Sequence, residues 1–575
     1  MMNNAQASDS VQRMGKYFFH ASALDFKKIP GGPIAYWTSE AIGKAFVYGT
    51  PLKEIIKPKQ GTSTGDDETF VRFWHEVSWQ DVGIEIPTLS DSQESGFKYF
   101  PLNKGGDNRR WYGNNEKILR FDPLAFDRLL GLGNHLPSKD LYFRPGLTWS
   151  KIASGRLGVR KDEAGFIFSS VGLKGFPEPK DEFQSLAFMN SKVAQALITA
   201  ISSSMSIVSG DIEKLPYIRN QLNVDDYTKR LILVARHDWD SYEVSWDFIK
   251  QPLLHVDFCQ PMLKTSYQNL RAHWRELTLE MHRLEEENNR IFIEAYGLQD
   301  ELTPEVPLNE ITLTCNPHYQ YGNHKSEDEL EALLLADTMR DLVSYAVGCM
   351  FGRYALDKPG LILANQGETI EDYLERVPEP SFPADDDNVI PMLDGDWFTD
   401  DITERFREFM RIAFGEEHYE ENLRFVEQAL GKDIRKYFLK DFYNDHVRRY
   451  KKRPIYWLFS SPKGSFNALI YMHRYQPHTV GTVLEYLRDF KDEKLKARKN
   501  HLEAVSISAG ASQGDKTKAL KEIEKINKIL AELDDYERDV LYPLATEQVE
   551  IDLDDGVKAN YPKFGEALKK IPGLS

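Results

Sequence analysis

The segment from residue 51 to residue 180 is rich in glycine, proline and aromatic residues, and this composition constrains the fold more than any other feature. Its strand-like runs are short, such as FVRFWHEVSW at 70–79 and GFIFSSVGL at 165–173. Short apolar runs separated by turn-forming residues predict short strands that are joined by many loops. We therefore expect a mixed α/β domain, closed by a helix at 185–205 and by a turn and short strand near residue 220.

The chain has 575 residues, more than a single core usually holds, since cores seldom grow past ~250–300 residues. Apolar residues recur at helical spacing in 266–298 and 326–356, and a short strand-like run, ITLTC, lies between them at 311–315. The segment 451–475 predicts a hairpin of strands around SSPKGS, and a pair of charged helices interrupted at 506–517 follows it. Thr38 or Ser39 is positioned to cap an early helix.

These patterns predict a multidomain α+β protein. The predicted divisions are an extended segment at 1–30, a mixed α/β domain at 31–220, a helical spacer at 221–376, an acidic linker at 377–400 and an α/β domain with a terminal helical hairpin at 401–575.

The net charge of −17 is unevenly distributed along the chain. Residues 367–404 carry 13 acidic residues and one basic residue, whereas residues 97–175 carry 14 Lys and Arg against 7 Asp and Glu. Phosphate contacts depend on the charge within a Debye length of ~8–10 Å, so a basic face on an acidic protein can bind DNA. A basic face that only contacts water explains the same charges equally well.

Three cysteines lie far apart, with no CxxC pair, which argues against a disulfide framework or a cysteine zinc site and favours a reducing cytoplasm. No uninterrupted apolar stretch approaches ~18 residues, and we expect no membrane span and no membrane partner. The fourteen histidines show no metal-binding spacing, so we expect no metal site.

Short motifs that combine basic, polar and aromatic residues are the strongest functional feature. KPKQGTSTGDD at 57–67 joins lysines to a flexible hydroxyl-bearing loop, which suits phosphate contact. NKGGDNRRWYGNNE at 103–116 sets arginines beside aromatic residues and glycines, and TWSKIASGRLGVR at 148–160 adds three further cations. Arginine can bind guanine edges, asparagine can pair with adenine, and aromatic side chains can stack on bases. The candidate DNA-binding residues are Lys59, Gln60, Thr64, Lys104, Arg109, Arg110, Trp111, Asn114, Lys151, Arg156 and Arg160, with Trp111 and Asn114 as base readers.

The motifs of an adenine methyltransferase are not found in the sequence. Such an enzyme needs a Gly-rich FxGxG-like turn for S-adenosylmethionine and a [DNS]PP[YFW] loop that holds the flipped base. The nearest match to the second is Asn316-Pro317-His318-Tyr319, in which His318 replaces the second proline. A turn at the end of a strand is the alternative interpretation of this segment. We therefore predict no catalytic and no cofactor-binding residue in this chain.

The order of several motifs along the chain resembles that of the PglX family. These motifs are PIAYW at 33–37, the motifs at 57–77, 98–116 and 148–156, AFMNSKVAQAL at 187–197 and SGDIEKLP at 209–216. The segments at 448–475 and 549–568 agree with this resemblance. Members of that family are adenine-specific DNA methyltransferases of the bacterial BREX phage-exclusion systems. The resemblance covers nearly the whole chain but only the family's C-terminal half. It implies a target-recognition domain at roughly 30–220, followed by a spacer and a C-terminal domain.

The resemblance further implies methylation of adenine with S-adenosylmethionine, a mark of host DNA as self, and contact with other BREX proteins. We expect this chain to bind double-stranded DNA and to need an N-terminal methyltransferase half for catalysis. Two alternatives stay open. The chain could be a complete methyltransferase that uses Asn316–Tyr319, which S-adenosylmethionine binding by the chain alone would test. It could also be an interaction scaffold that uses the acidic run and the terminal hairpin.

Overall fold

The computed structural model describes residues 27–34, 37–133, 135–152, 156–202, 206–219 and 224–574. Residues 1–26 of the predicted extended segment therefore lie outside the described residues. The chain contains 52% helix and 10% strand in several small sheets, which confirms the α+β class. It divides into two compact units. The first comprises the described residues of Met1–Phe70, Gly83–Trp239 and Trp274–Asn323, and the second comprises those of Val71–Val82, Asp240–His273 and His324–Ser575.

The first unit is built around short strands that are linked by loops, as the sequence predicts. Its strands are Thr50–Pro51, Tyr99–Asn103, Lys117–Arg120, Gly146–Ser150, Val159–Asp162, Ile167–Phe168, Gly172–Gly175 and Pro216–Tyr217. Its helices are Glu40–Tyr48, Lys53–Ile56, Asp67–Phe70, Leu89–Glu94, Pro123–Gly131, Glu182–Met189, Lys192–Ile201, Ser209–Lys214 and Pro317–Tyr321. The helices Asp225–Asp240 and Leu263–Tyr296 each contain a boundary between the units.

One antiparallel sheet of the first unit has the strand Gly146–Ser150 at its centre. This strand pairs with Val159–Asp162 on one side and with Gly172–Gly175 on the other. All five of its residues are buried, and the Trp149 side chain is fully enclosed. A second set of strands pairs Tyr99–Asn103 antiparallel with Lys117–Arg120 and parallel with Ile167–Phe168.

Several predicted elements of this unit are confirmed and others differ. Ser39 caps the helix Glu40–Tyr48 by accepting a hydrogen bond from the Ile42 amide at 3.1 Å. The single helix predicted at 185–205 is two helices, because Asn190 ends the first and Ser191 caps the second. The predicted short strand near residue 220 is Pro216–Tyr217, which follows the helix Ser209–Lys214.

The second unit is mainly helical and contains one three-stranded sheet. Tyr456–Ser460 and Asn467–Tyr471 form the predicted hairpin, and Ile390–Pro391 pairs with the outer side of Asn467–Tyr471. Its helices are Glu327–Met350, Ile370–Arg376, Ile402–Phe414, Tyr419–Leu430, Ile434–Tyr437, Tyr443–Arg449, Thr479–Arg488, Lys496–Ile507, Gln513–Tyr536, Tyr542–Glu547 and Val557–Asn560. Single π-helical segments at Phe438–Phe442, Asp489–Leu495 and Glu537–Leu541 connect some of them.

Several apolar residues of the predicted acidic linker at 377–400 pack into the second unit. Phe382, Val389 and Leu393 are buried, and Ile390 pairs with Leu469 of the hairpin. Apolar residues occur at intervals between the acidic residues of the run, and these apolar residues are the ones that pack into the core. The predicted terminal pair of helices is present as Lys496–Ile507 and Gln513–Tyr536, joined by an Arg498–Glu522 ion pair of 2.8 Å. In the part of the chain that is described, none of the helices has both the length and the apolar composition needed to cross a membrane.

Candidate nucleic-acid interface

The three basic motifs converge on one sheet of the first unit. Lys59 forms an antiparallel bridge with Lys174 of the strand Gly172–Gly175, with Lys59 N donating to Lys174 O at 2.7 Å. The third motif, at 148–160, contributes the end of the central strand Gly146–Ser150 and the beginning of its neighbour Val159–Asp162. The second motif adds Trp111, which forms a parallel bridge with Arg160. Segments that are distant in sequence therefore lie side by side in a single layer.

The loop at 103–116 is folded tightly on itself. Gly106 and Gly113 have φ values of 118° and 117°, a region that residues with a side chain rarely adopt. A Cβ added at Gly106 would lie 2.8 Å from Asn114 Nδ2, which donates to the Asp107 carbonyl at 2.8 Å. Trp111 and Asn114 themselves have φ values of 72° and 64°. Such strained positions persist only where surrounding contacts hold them.

Buried carboxylates hold this loop. Arg109 pairs with Asp238 at 3.3 Å, and its guanidinium lies 4.8 Å from the centre of the Trp239 ring. Arg110 pairs with Glu285 at 2.7 Å, and the Trp111 indole N–H donates to the same carboxylate at 2.7 Å. Burial raises the pKa of Glu285, and Arg110 partly opposes this shift.

These contacts give Arg109, Arg110 and Trp111 a structural role in the conformation observed. Arg109 and Trp111 are buried, and the Trp111 ring is not exposed for stacking on a base. The carboxylates that hold them, Asp238 and Glu285, were not identified from sequence, because they occur in helices far along the chain. An acidic residue on a buried helical face, such as Glu285 beside Asn288 and Asn289, is the one sequence signal that could have identified them.

The other candidate residues differ in exposure. Lys59 and Gln60 are exposed, Lys151 is half-buried, and Arg156 is exposed while pairing with Glu310 at 2.6 Å. Thr64 is buried and donates to Asp67, which also pairs with half-buried Lys104 at 2.7 Å. Hydrogen bonds from Lys104 and Thr64 lower the pKa of Asp67, although partial burial opposes this shift.

A pocket of about 210 Å³ opens between the loop 103–116 and the third motif. Arg160 lines it, and this residue is 2% exposed. Its Nη1 donates to the Arg109 carbonyl at 3.4 Å, and its Nε has no hydrogen-bond partner. Asp162, two residues along the same strand, is instead engaged by Lys174 at 3.1 Å. The remaining lining residues are Gly106, Asp107, Asn108, Ser150, Ile152, Arg156 and Gly158.

The segment Asn316–Tyr319 forms the start of a helix, and the preceding ITLTC run is not a strand. The Asn316 side chain is fully buried, accepts from the His318 amide and donates to the Leu308 and Ile311 carbonyls. Tyr319 donates to the Asn108 carbonyl at 2.8 Å. The amide group that a base-binding loop would need is therefore engaged in capping this helix.

Among the described residues, His, Cys, Asp and Glu form no group that could hold a metal ion. The three cysteines form no disulfide, and two of them, Cys315 and Cys349, are buried.

No family model matches the chain. The adenine-specific methyltransferase BrxX of Escherichia coli O9:H4 (strain HS) is 34% identical over 573 residues, covering 96% of this chain and 46% of that protein. The adenine-specific methyltransferase PglX of Lacticaseibacillus casei (strain Zhang) is 33% identical over 594 residues, covering 97% of this chain and 46% of that protein. The chain thus spans about half the length of the curated relatives it matches. Over nearly all of its own length, it is a homologue of the BrxX and PglX adenine-specific methyltransferases.

Proposed function

We propose that this chain is the DNA-recognition part of a BREX-type adenine DNA methyltransferase that marks host DNA in the cytoplasm. Methyl transfer from S-adenosylmethionine is then the task of an N-terminal methyltransferase half, and other BREX proteins are its further partners. The observation that carries the proposal is the convergence of three basic motifs on one sheet. Both relatives are named adenine-specific methyltransferases, which supports this reaction class.

The exposed and half-buried cations of the sheet are the ones that we assign to phosphate contact. Lys59 and Lys151 belong to two of the three motifs, and neither is fully buried. Phosphate contacts release counterions from DNA, so affinity falls steeply with salt, by about ten-fold or more between low and physiological salt. Asn114 keeps its assignment as a base reader, whereas Trp111 would need the loop to open before a base could stack on it.

The test replaces Lys59 and Lys151 together by alanine and measures binding to a short duplex by fluorescence anisotropy over a salt series. Loss of two phosphate contacts should lower the slope of log affinity against log salt by about two units. The control replaces Lys528 and Lys570, which are exposed cations of the second unit with side chains 71% and 73% accessible. It makes the same change in net charge. An equal loss of slope in both double variants would show that general charge, not this sheet, carries the binding.

A further inference from the structure

Arg160 is a buried cation that no carboxylate contacts directly. Among the described residues, the anion that acts on it most strongly is Asp162, which does so from beyond ion-pair distance and itself pairs with Lys174 at 3.1 Å. Burial lowers the pKa of Arg160 to about 10, so the side chain still carries its charge at neutral pH. A buried charge without a partner is costly, and the cost is offset when a ligand of opposite charge occupies the site.

Close packing between the loop 103–116 and the neighbouring strands fixes the walls of the pocket. A Cβ at Gly158 would lie 2.5 Å from Asn108 Oδ1 and 2.7 Å from the Arg109 carbonyl oxygen, so the loop packs directly on this glycine. The Ser150 hydroxyl donates to the Gly106 carbonyl at 3.2 Å and links the central strand to the same loop. A rigid pocket loses little conformational entropy on binding.

We propose that this pocket seats a single phosphodiester group of the DNA backbone, with Arg160 as its main ligand and Arg156 at its mouth. The inference rests on the proposed function and adds that one phosphate is enclosed while the others are bound on the surface. A phosphodiester would bring a negative charge into contact with the Arg160 guanidinium, whereas a neutral base edge would not compensate its positive charge. Asp107 also lines the pocket, and its negative charge disfavours the phosphate without excluding it.

Two variants test the pocket in the full chain with a short duplex of mixed sequence. Arg160→Gln removes the buried charge and keeps a donor for the Arg109 carbonyl. Ile152→Glu places a negative charge at the mouth, where Ile152 is 68% exposed and its replacement should not disturb folding. Each variant should weaken binding about ten-fold at low salt and lower the salt slope by about one unit, because one phosphate contact is lost. Ile507→Glu, at a site 84% exposed in the second unit, is the control and should change neither.

A third variant separates a phosphate from a base. Asp107→Asn removes a like charge and should tighten binding if the pocket holds phosphate. Weaker binding by Asp107→Asn would overturn the proposal, because it would mean that the carboxylate accepts from a base amino group. Unchanged salt slopes in both Arg160→Gln and Ile152→Glu would also overturn it.

The two proposals fail in distinguishable ways. If the unaltered chain shows no salt-dependent binding to the duplex, the proposed function fails and the pocket inference falls with it. If the unaltered chain binds and the pocket variants bind equally well, only the pocket inference fails. Should Arg160→Gln unfold, as judged by circular dichroism, Ile152→Glu alone decides the matter.

Discussion

His473 is a buried histidine in the second unit, and its protonation contributes to how that unit responds to acid. Its Nε2 donates to the Val77 carbonyl at 3.0 Å. Burial, with a smaller contribution from the positive charge of Arg353, lowers the pKa of His473 to about 3. The unfolded chain binds a proton here below about pH 6.5, whereas the folded chain binds none until about pH 3. The stability due to neutral His473 is therefore present above pH 6.5 and is lost as the pH falls towards 3.

His473→Gln tests this response, since the glutamine amide can still donate to Val77. The free energy of unfolding of the unaltered second unit should fall by about 1.4 kcal/mol more per pH unit below pH 6 than that of the variant. Chemical denaturation at a series of pH values gives this difference. His324→Gln removes an exposed histidine and should follow the unaltered chain. Parallel acid profiles for His473→Gln and the unaltered chain would contradict the assignment.

For single residues, the sequence indicates local backbone conformation better than it indicates which partner a side chain contacts. The segment 103–116 contains several glycines and asparagines, residues that accept positive φ, and the loop has positive φ at Gly105, Gly106, Gly113 and Asn114. The sequence does not show that Arg109, Arg110 and Trp111 are held by Asp238 and Glu285, since those partners lie more than 120 residues away. The direction in which a loop arginine points depends on such distant partners. Whether any of the eleven candidate residues contacts DNA stays a prediction.

The helix Leu263–Tyr296 stabilises the loop at 103–116 through one carboxylate. Within the first unit, Glu285 pairs with Arg110 and accepts from Trp111, and it is 2% exposed. Glu285→Ala leaves Arg110 without its charge partner and Trp111 without its acceptor. Breaking a buried pair in this way should destabilise the first unit by about 3–5 kcal/mol. Hydrogen exchange should show the loop amides losing protection first.

A matched change on the same helix provides the control. Glu280 pairs with Arg230 at 2.7 Å, but both side chains are partly exposed. Glu280→Ala should therefore alter stability by at most about 1 kcal/mol. Equal effects of the two alanine variants would mean that Glu285 does not hold the loop.

The start of a helix was easier to predict than the extent of a strand, for a physical reason. Helices such as Glu40–Tyr48 and Glu327–Met350 carry their own capping residues, Ser39 and Ser326, so local sequence sets where they begin. Strands depend on pairing with distant segments. FVRFWHEVSW was predicted as a strand, but only Val71–Phe73 is extended and Trp74–Glu76 forms a 3-10 turn. Asn316 likewise ends no strand, because its side chain caps the helix that follows.

The segment Val71–Val82 belongs to the second unit although residues on both sides of it in sequence belong to the first. Trp74 donates to the Val244 carbonyl at 2.9 Å, and the Glu76 carboxylate accepts from the Val557 amide at 3.1 Å. The guanidinium of Arg353 lies 5.3 Å from the centre of the Trp74 ring. No local pattern in the sequence distinguishes this segment from its neighbours, so the predicted divisions do not include it. The five predicted divisions stay a prediction.

This assignment predicts that replacing Trp74 will destabilise the second unit, whereas replacing Trp149 will destabilise the first. Trp74 is 2% exposed in the second unit, and Trp149 is fully buried in the central strand of the first. Each change to alanine should cost about 3–5 kcal/mol because it removes a large buried side chain. In hydrogen exchange, Trp74→Ala should weaken protection in Glu327–Met350 and Tyr456–Ser460, and Trp149→Ala in Val159–Asp162 and Gly172–Gly175. If Trp74→Ala instead exposed the strands around Trp149, the segment 71–82 would belong with its neighbours in sequence, and the division into these two units would be wrong.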